Sequence, residues 1–242
     1  MTEPKRPPRI WPVLLASAIG IAILVTLGIW QVERLKWKDG LLAQLAANAA
    51  AEPVGLASVE ALQAQGRDVE YIKVTFTGTY KHVAWKKMIS TFGGGQGWLI
   101  LTPAISADGR AVIVNRGAIP DQMLASFDKP EGEQQITGVV RTYTRGKGYF
   151  DPENDPQGNL WYWWDIPAML SSSGLDGTSK PVPFVVQVLP GTVAAAFPKP
   201  DEPKANLSNN HLGYAITWFG LALTLAGVAF FYVRGLRKKQ PA

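Results

Sequence analysis

The chain has no cysteine, and its 242 residues include only two histidines and four methionines. Without cysteine it has no disulfides, no thiolate metal sites and no thiol nucleophile. The methionines are scattered, which excludes a methionine-rich copper site. The sequence also lacks a zincin helix, a P-loop and a nucleophile elbow. The residues therefore give no argument for an enzyme.

Two polar stretches resemble ligand-binding loops, but each has a simpler interpretation. Gly93–Gly97 is rich in glycine, yet it lacks the Lys-Ser/Thr of a P-loop, so a flexible hairpin loop is favoured. Asp151, Glu153 and Asp155 carry oxygen ligands that would suit Ca²⁺. Prolines interrupt this acidic run, which favours a plain turn.

Charged residues are absent from two long apolar runs, Ile10–Val32 and Leu212–Val233. About 20 apolar residues in a helix match the thickness of a bilayer core, so both runs predict membrane spans. The first run is longer than the apolar core of a signal peptide, which favours a retained anchor over a cleaved leader. Small residues of both runs are expected to let the two helices approach closely: Ala16, Gly20, Gly220, Ala226 and Gly227.

Positive charge is concentrated outside these two spans. The first ten residues carry three basic side chains, and the tail after the second span carries Arg234, Arg237, Lys238 and Lys239. Basic flanks stay in the cytoplasm, so we expect a multi-pass protein of the inner (plasma) membrane with both termini cytoplasmic and the middle periplasmic. A nucleic-acid partner is not expected, because the basicity lies in tails that flank the lipid bilayer.

The middle of the chain shows mainly strand patterns. A helix is expected to continue past the first span until Pro53, and a short helix is expected at Ile166–Leu170. Alternating or β-branched segments predict seven strands: Tyr71–Tyr80, Val83–Ile89, Trp98–Leu101, Ala111–Asn115, Gln135–Thr142, Leu160–Trp164 and Phe184–Leu189. Short strands at this spacing are typical of an antiparallel sandwich or barrel.

The predicted fold is therefore two transmembrane α-helices flanking a mainly antiparallel β (α+β) extracytoplasmic domain. The expected order is a basic tail (1–9), a first span (10–32), a β-rich domain with an N-terminal helical extension (33–207), a second span (208–233) and a basic tail (234–242). The segment from Val193 to Lys204 contains three prolines and is expected to be an extended linker.

The two histidines differ in their surroundings. His82 lies between strands and is interpreted as a solvated surface residue. His211 falls at the start of the second span, after Asn and Ser residues that are good helix N-caps. The positive end of a helix dipole disfavours imidazolium, so His211 should be neutral and able to bind a metal, most plausibly haem iron. The alternative is an interfacial histidine that hydrogen-bonds a headgroup or the first span.

Other side chains near the same membrane level fit either interpretation. Trp30, Arg34 and Trp37 share one helix face, and Trp218 shares a face with His211. Arg34 would suit a haem propionate as a charge-assisted partner. It would equally suit a role as an anchoring arginine between interfacial tryptophans.

Seven segments of the sequence resemble the SURF1 (Shy1) family of cytochrome c oxidase assembly proteins. In chain order they are Gly28–Lys38, Gly97–Pro103, Val114–Pro120, Gly138–Arg141, Phe150–Asn154, Trp161–Tyr162 and Asn209–Phe219. The last segment, NNHLGYAITWF, is the most specific. The sequence departs from the family at Ala118, where an aromatic residue is usual, and at Gly213, where glutamine is common.

The resemblance implies an assembly factor, not an enzyme, that binds haem a transiently and assists its insertion into cytochrome c oxidase subunit I. It implies His211 as the axial ligand of the haem iron, with Trp30, Arg34 and Trp218 around the cofactor, and haem a synthase as a further partner. Two alternatives stay open. One is a purely structural scaffold that binds oxidase subunits without a cofactor, and the other is a membrane-anchored sensor or solute-binding protein.

Overall fold

The computed structural model describes residues 10–144, 146–175, 179–192, 196–203 and 210–238. These residues contain four α-helices, two short 3₁₀ helices (His82–Ala84 and Asp121–Met123) and seven strands. The helices are α1 (Ile10–Ala50), α2 (Leu56–Ala64), α3 (Ile166–Ser171) and α4 (His211–Lys238). The described residues divide into two units. The membrane unit comprises those of Met1–Ala43 and Asn206–Ala242, and the barrel unit comprises those of Gln44–Ala205.

Helices α1 and α4 are each long and apolar enough to cross a membrane. Their spanning stretches have mean hydropathies of 2.4 and 1.9, and only 6% and 11% of these stretches is buried within the protein. A core helix of a soluble domain would be mostly buried, so the exposed apolar surface favours contact with lipid. The expected pair of candidate membrane helices is confirmed. Residues 1–9, which are the whole first basic tail, and residues 239–242 of the second lie outside the described residues.

Small side chains set the packing of α1 against α4, although not all of the expected ones do so. A Cβ atom added to Gly28 would lie 2.7 Å from the ring of Phe219, and one added to Gly20 would lie 3.0 Å from Leu225. On α4, Ala215 and Ala222 are the buried positions. Gly220 and Gly227 have open space around them, so their predicted role in helix packing is wrong.

Seven strands build the barrel unit: β1 (Lys73–Tyr80), β2 (Lys86–Phe92), β3 (Gly95–Ser106), β4 (Arg110–Pro120), β5 (Glu133–Arg141), β6 (Leu160–Trp161) and β7 (Lys180–Val188). They form one sheet in the order β1-β5-β7-β4-β3-β2-β6, and β1 also pairs with β3. That extra pairing closes β1, β5, β7, β4 and β3 into a barrel. Closure removes the free edges that an open sheet would leave.

The sheet is mainly antiparallel, as the sequence predicts, but it also has two parallel pairs, β4 with β7 and β2 with β6. Strand β4 is buried continuously from Ala111 to Ile119 because it lies between β3 and β7. One core cluster includes Val112, Val114 and Phe184. A second lies around Trp161 and Met169. Apolar burial of this extent is the main stabilising contribution to such a domain.

Local structure differs from the sequence expectations at α2, at β6 and in the glycine-rich segment. Helix α2 was not predicted, because only Leu56 and Val59 of its short sequence are buried. Strand β6 contains two residues and not the predicted five. The loop predicted at Gly93–Gly97 is shorter than expected, because β3 already begins at Gly95. Gly93 and Gly94, both with positive φ, form a tight turn between β2 and β3. Part of the predicted linker, 193–195 and Lys204, lies outside the described residues.

The acidic run at 151–155 forms turns rather than a cation site. The carboxylate of Asp151 accepts a hydrogen bond from the backbone N–H of Gly148, and that of Asp155 accepts one from Gly158. Glu153 pairs with Lys147. Across the described ranges, no cluster of three or more histidine or acidic side chains is placed to hold a metal ion.

Candidate functional site

His211 is the first residue of α4, and Asn210 precedes it as the N-cap residue. The carbonyl of Asn210 accepts a hydrogen bond from the backbone N–H of Tyr214, which is the first bond of the helix. The expected position of His211 in the first helical turn is therefore confirmed. The capping side chains expected at 206–209 lie outside the described residues.

The imidazole of His211 hydrogen-bonds to Gln31 on α1. The distance from Nδ1 of His211 to Oε1 of Gln31 is 2.7 Å. An amide oxygen can only accept, so Nδ1 carries the proton. In the neutral ring Nε2 is then unprotonated, and an unprotonated ring nitrogen is the form that binds a metal. The ring of His211 is half-buried, and this is the one hydrogen bond that it makes to the described chain.

Gln31 is a site residue that the sequence interpretation did not identify. Its exposed fraction is 9%, so a polar amide is buried at the end of the apolar part of α1. A polar side chain inside a membrane span is costly unless it faces a neighbouring helix and finds a partner there. Gln31 was therefore detectable as an uncharged polar residue at the end of the first apolar run, although its partner lies 180 positions away.

Two of the four predicted site residues are in contact. The ring centroids of Trp30 and His211 are 6.5 Å apart and the rings are nearly perpendicular, which is a favourable edge-to-face arrangement. The rest of the Trp30 side chain is exposed on the outer surface of the unit. The imidazole therefore lies beside an apolar aromatic surface at one end of the apolar part of α1.

The other two predicted residues, Arg34 and Trp218, make no described contact with the imidazole. The guanidinium of Arg34 is 4.0 Å from the ring centre of Trp37, a cation–π contact, and Arg34 is exposed. Trp218 lies on the His211 face of α4, two turns further along, and is half-buried. Among the residues that the structure covers, no ring contact joins Trp218 to His211. Its part in a site stays a prediction.

A shallow groove of about 450 Å³ crosses the first turns of α4. Its walls are Asn210, Gly213, Tyr214 and Thr217, which occupy a neighbouring helix face from His211. Gly213 has open space around it. The glutamine that is common at this position in the family would fill part of the groove, so the glycine leaves it wider.

These residues meet one requirement of a haem site. Haem iron is already held by four macrocycle nitrogens, so the protein needs to supply only an axial ligand such as a neutral imidazole. His211 provides one ring nitrogen free for that bond, beside the aromatic surface of Trp30. The second histidine is placed differently. Nε2 of His82 lies 2.8 Å from the carbonyl oxygen of Pro130, and His82 is half-buried, so its interpretation as a solvated residue is wrong.

Comparison with known proteins agrees with this architecture. A model of the SURF1 family matches residues 18–223. Surfeit locus protein 1 of Rattus norvegicus is 28% identical over 235 residues, covering 89% of this chain and 72% of the relative. The human protein of the same name is 31% identical over 217 residues, covering 81% and 69%. A SURF1-like protein of Monosiga brevicollis is 31% identical over 231 residues, covering 86% and 83%. On the extent of the family match, this chain belongs to the SURF1 family.

Proposed function

We propose that this chain is a cytochrome c oxidase assembly factor that binds haem a at the outer face of the membrane and assists its insertion into subunit I. Membership of the SURF1 family implies the assembly role, which is one of assistance rather than of chemical turnover. The haem-binding role is supported by one observation above all. The bond from His211 to Gln31 occupies Nδ1 and leaves Nε2 of the ring available at the end of a candidate membrane helix.

Each predicted residue has a distinct part in this proposal. Nε2 of His211 would supply the axial bond to iron, and bound haem would contribute an iron centre that accepts an imidazole ligand. The indole of Trp30 would pack against the macrocycle, as would that of Trp218 deeper along α4. Arg34 would pair with a propionate, because a guanidinium binds a carboxylate through two parallel hydrogen bonds.

An assembly factor must also release its cofactor. A single protein ligand beside open apolar surface gives a moderate affinity, whereas an enclosed pocket with two axial ligands would retain the haem. The half-burial of His211 and the exposure of Trp30 support a site that is open on one side. Transfer to subunit I would then require only that the acceptor site bind the haem more tightly.

The test compares the two histidines of the chain. Purified full-length protein in lipid nanodiscs is titrated with haem a, and the absorption spectrum and stoichiometry are recorded. His211→Ala should lose the spectral features of axial imidazole ligation, and the matched variant His82→Gln should keep them. An unchanged spectrum and stoichiometry in His211→Ala would reject His211 as the ligand.

Gln31 gives a second test with a readout that does not require haem. In Gln31→Leu, Nδ1 loses its acceptor, so ¹⁵N NMR of His211 in the haem-free protein should show a mixture of both neutral tautomers. Loss of such an outer partner typically weakens binding about 10–100-fold. Thr26→Ala is the control, because the Thr26 hydroxyl bonds only to the carbonyl of Ala22 in its own helix. Tautomers that match those of the unsubstituted protein would contradict the role of Gln31.

The same hydrogen bond also supports an alternative, in which His211 pairs the two helices and no cofactor is held. The chain would then be a structural scaffold for oxidase subunits. Co-purification with subunit I from cells that cannot make haem a distinguishes the two. A scaffold should bind subunit I equally well in those cells, whereas a haem carrier should associate with it less.

A further inference from the structure

The barrel unit contains a concave cavity of about 230 Å³ that the proposed haem role does not use. It lies near the end of β1, and residues of β4, β5 and the segment between them also line it. Its polar lining includes Tyr80, Arg116, Asp128, Thr137 and Thr192. A cavity lined by several convergent polar groups is a candidate binding site.

Arg116 is a buried cation with unused hydrogen-bond donors. Its exposed fraction is 6%, and it lies on β4, where every neighbour is buried. Nη1 donates to the backbone carbonyl of Asp128 at 2.8 Å. A guanidinium has five N–H donors, and a buried charge is costly unless its donors are satisfied. Within the described chain, the remaining donors of Arg116 make no hydrogen bond.

Tyr80, a buried side chain, contributes a second donor to the same cavity. Its exposed fraction is 8%, and its ring centre lies 5.1 Å from the guanidinium carbon of Arg116. Its hydroxyl has no hydrogen-bond partner in the described part of the chain. Burial raises the pKa of Tyr80 to about 12, so the phenol keeps its proton and remains a donor. Two independent side chains of the cavity therefore have donors that no described residue accepts.

Among the described residues that line the cavity, Asp128 is the only one with a carboxylate, and it compensates the charge of Arg116 weakly. Oδ2 of Asp128 lies 3.7 Å from Nη2 of Arg116, beyond hydrogen-bond distance. The Asp128 side chain is 51% exposed, so solvent screens much of its charge. An incoming anion would meet a guanidinium whose charge is only partly neutralised.

We propose that this cavity binds a carboxylate group, held by the guanidinium of Arg116 and the hydroxyl of Tyr80. A planar carboxylate accepts two parallel hydrogen bonds from an arginine, a geometry that tetrahedral phosphate and spherical chloride match less well. The volume of about 230 Å³ admits a small acid or the end of an extended segment, but not a macrocycle. The carboxylate therefore comes from a small organic acid or from the C-terminus of another polypeptide.

The test uses the full chain in lipid nanodiscs with acetate as the probe, followed by ¹³C NMR line broadening at constant chloride. Tyr80→Phe removes one donor without changing the shape of the ring, and it should weaken binding about fivefold. Asp128→Asn removes the competing internal carboxylate and should strengthen binding. Arg116→Gln should abolish binding, and the two milder variants decide the matter if that protein does not fold.

Two further probes identify the source of the carboxylate. The peptide N-acetyl-Gly-Gly with a free C-terminus is compared with its amide, which should not bind. Tighter binding of the free peptide than of acetate indicates a polypeptide C-terminus, and equal binding indicates a small acid. The proposal is overturned if acetate does not bind, if inorganic phosphate binds as tightly, or if neither Tyr80→Phe nor Asp128→Asn alters the affinity.

Discussion

At the scale of single residues, the two histidines are both half-buried, but a different ring nitrogen donates in each. His211 donates through Nδ1 to a side-chain amide, which leaves Nε2 free. His82 donates through Nε2 to the carbonyl of Pro130, and its Nδ1 is buried without a partner. The first arrangement suits a metal ligand. The second suits a neutral histidine that resists protonation.

His82 should make the barrel unit sensitive to mild acid. Burial lowers the pKa of His82 below its ordinary 6.5, and the charges of Arg116 and Lys129 act in the same direction. The hydrogen bond to the Pro130 carbonyl is the largest effect after burial and raises the pKa, as does Asp128, but burial decides the direction. Below pH 6.5 the unfolded chain takes up the proton first, so the free energy of unfolding decreases as the pH falls. Above pH 6.5, His82 is unprotonated in both states and does not make the free energy of unfolding depend on pH.

The measurement is the thermal midpoint of the barrel unit in the full chain, followed by near-UV circular dichroism between pH 7 and pH 5. His82→Gln should show a smaller decrease over this range than the unsubstituted protein. Glu60 also has a lowered pKa, but its contribution is lost only as the pH falls below about 4.5. Equal slopes in both proteins would contradict the prediction.

At the scale of secondary-structure elements, Glu70 joins the segment before β1 to the end of β5. Its carboxylate accepts hydrogen bonds from Nε of Arg141 at 2.7 Å and from the backbone N–H and hydroxyl of Thr142 at 2.7 and 2.8 Å. Both charged side chains are 20% exposed. Glu70→Ala would leave these donors unpaired, so we expect the free energy of unfolding to fall by about 2–4 kcal/mol.

Urea unfolding followed by tryptophan fluorescence measures this effect. Glu153→Ala is the matched control, because Glu153 also pairs with a basic residue, Lys147, but is 80% exposed. An exposed pair contributes little, so this control should change the free energy of unfolding by less than about 1 kcal/mol. If both variants lost a similar free energy of unfolding, the Glu70 contacts would contribute no more to stability than an exposed ion pair does.

Gly28 should control the packing of α1 against α4. A side chain at this position would overlap the ring of Phe219, so Gly28→Leu should force the helices apart. Because the chain has no native cysteine, a pair introduced by Gly20→Cys and Leu225→Cys can report helix proximity by disulfide formation. Mass spectrometry should show a lower disulfide yield when Gly28→Leu is added.

Gly220→Leu is the control for that experiment, since this glycine of α4 has open space around it. It should leave the disulfide yield unchanged. Adding Phe219→Ala to Gly28→Leu should restore part of the yield by removing the overlapping ring. An undiminished yield in Gly28→Leu alone would show that the helices do not depend on this close approach.

At the scale of the whole molecule, the distribution of basic residues predicts the orientation in the membrane. Arg234 and the basic residues after it should keep the C-terminus in the cytoplasm, and two spans would place the barrel unit on the other side. Alkaline phosphatase fused after Pro130 should therefore be active, and the same enzyme fused after Ala242 should be inactive. The opposite pattern would reverse the proposed topology.

The sequence by itself determined the features that depend on residues adjacent along the chain. Two uncharged apolar runs predicted α1 and α4, because the hydrophobicity of a span is a local property. Alternation in Tyr71–Tyr80 predicted β1 for the same reason. The Asn-rich segment before His211 located the start of α4.

Tertiary structure alone decided which distant residues meet. The pairing of β1 with β3 closes the barrel, and β7 pairs in parallel with β4. No local sequence pattern predicts either pairing. The same holds for the bond between Gln31 and His211, which joins residues 180 positions apart. Arg116 and Tyr80 share a cavity only because β4 and β1 belong to one barrel. Local periodicity fixes which face of an element is apolar, whereas long-range pairing decides what that face contacts.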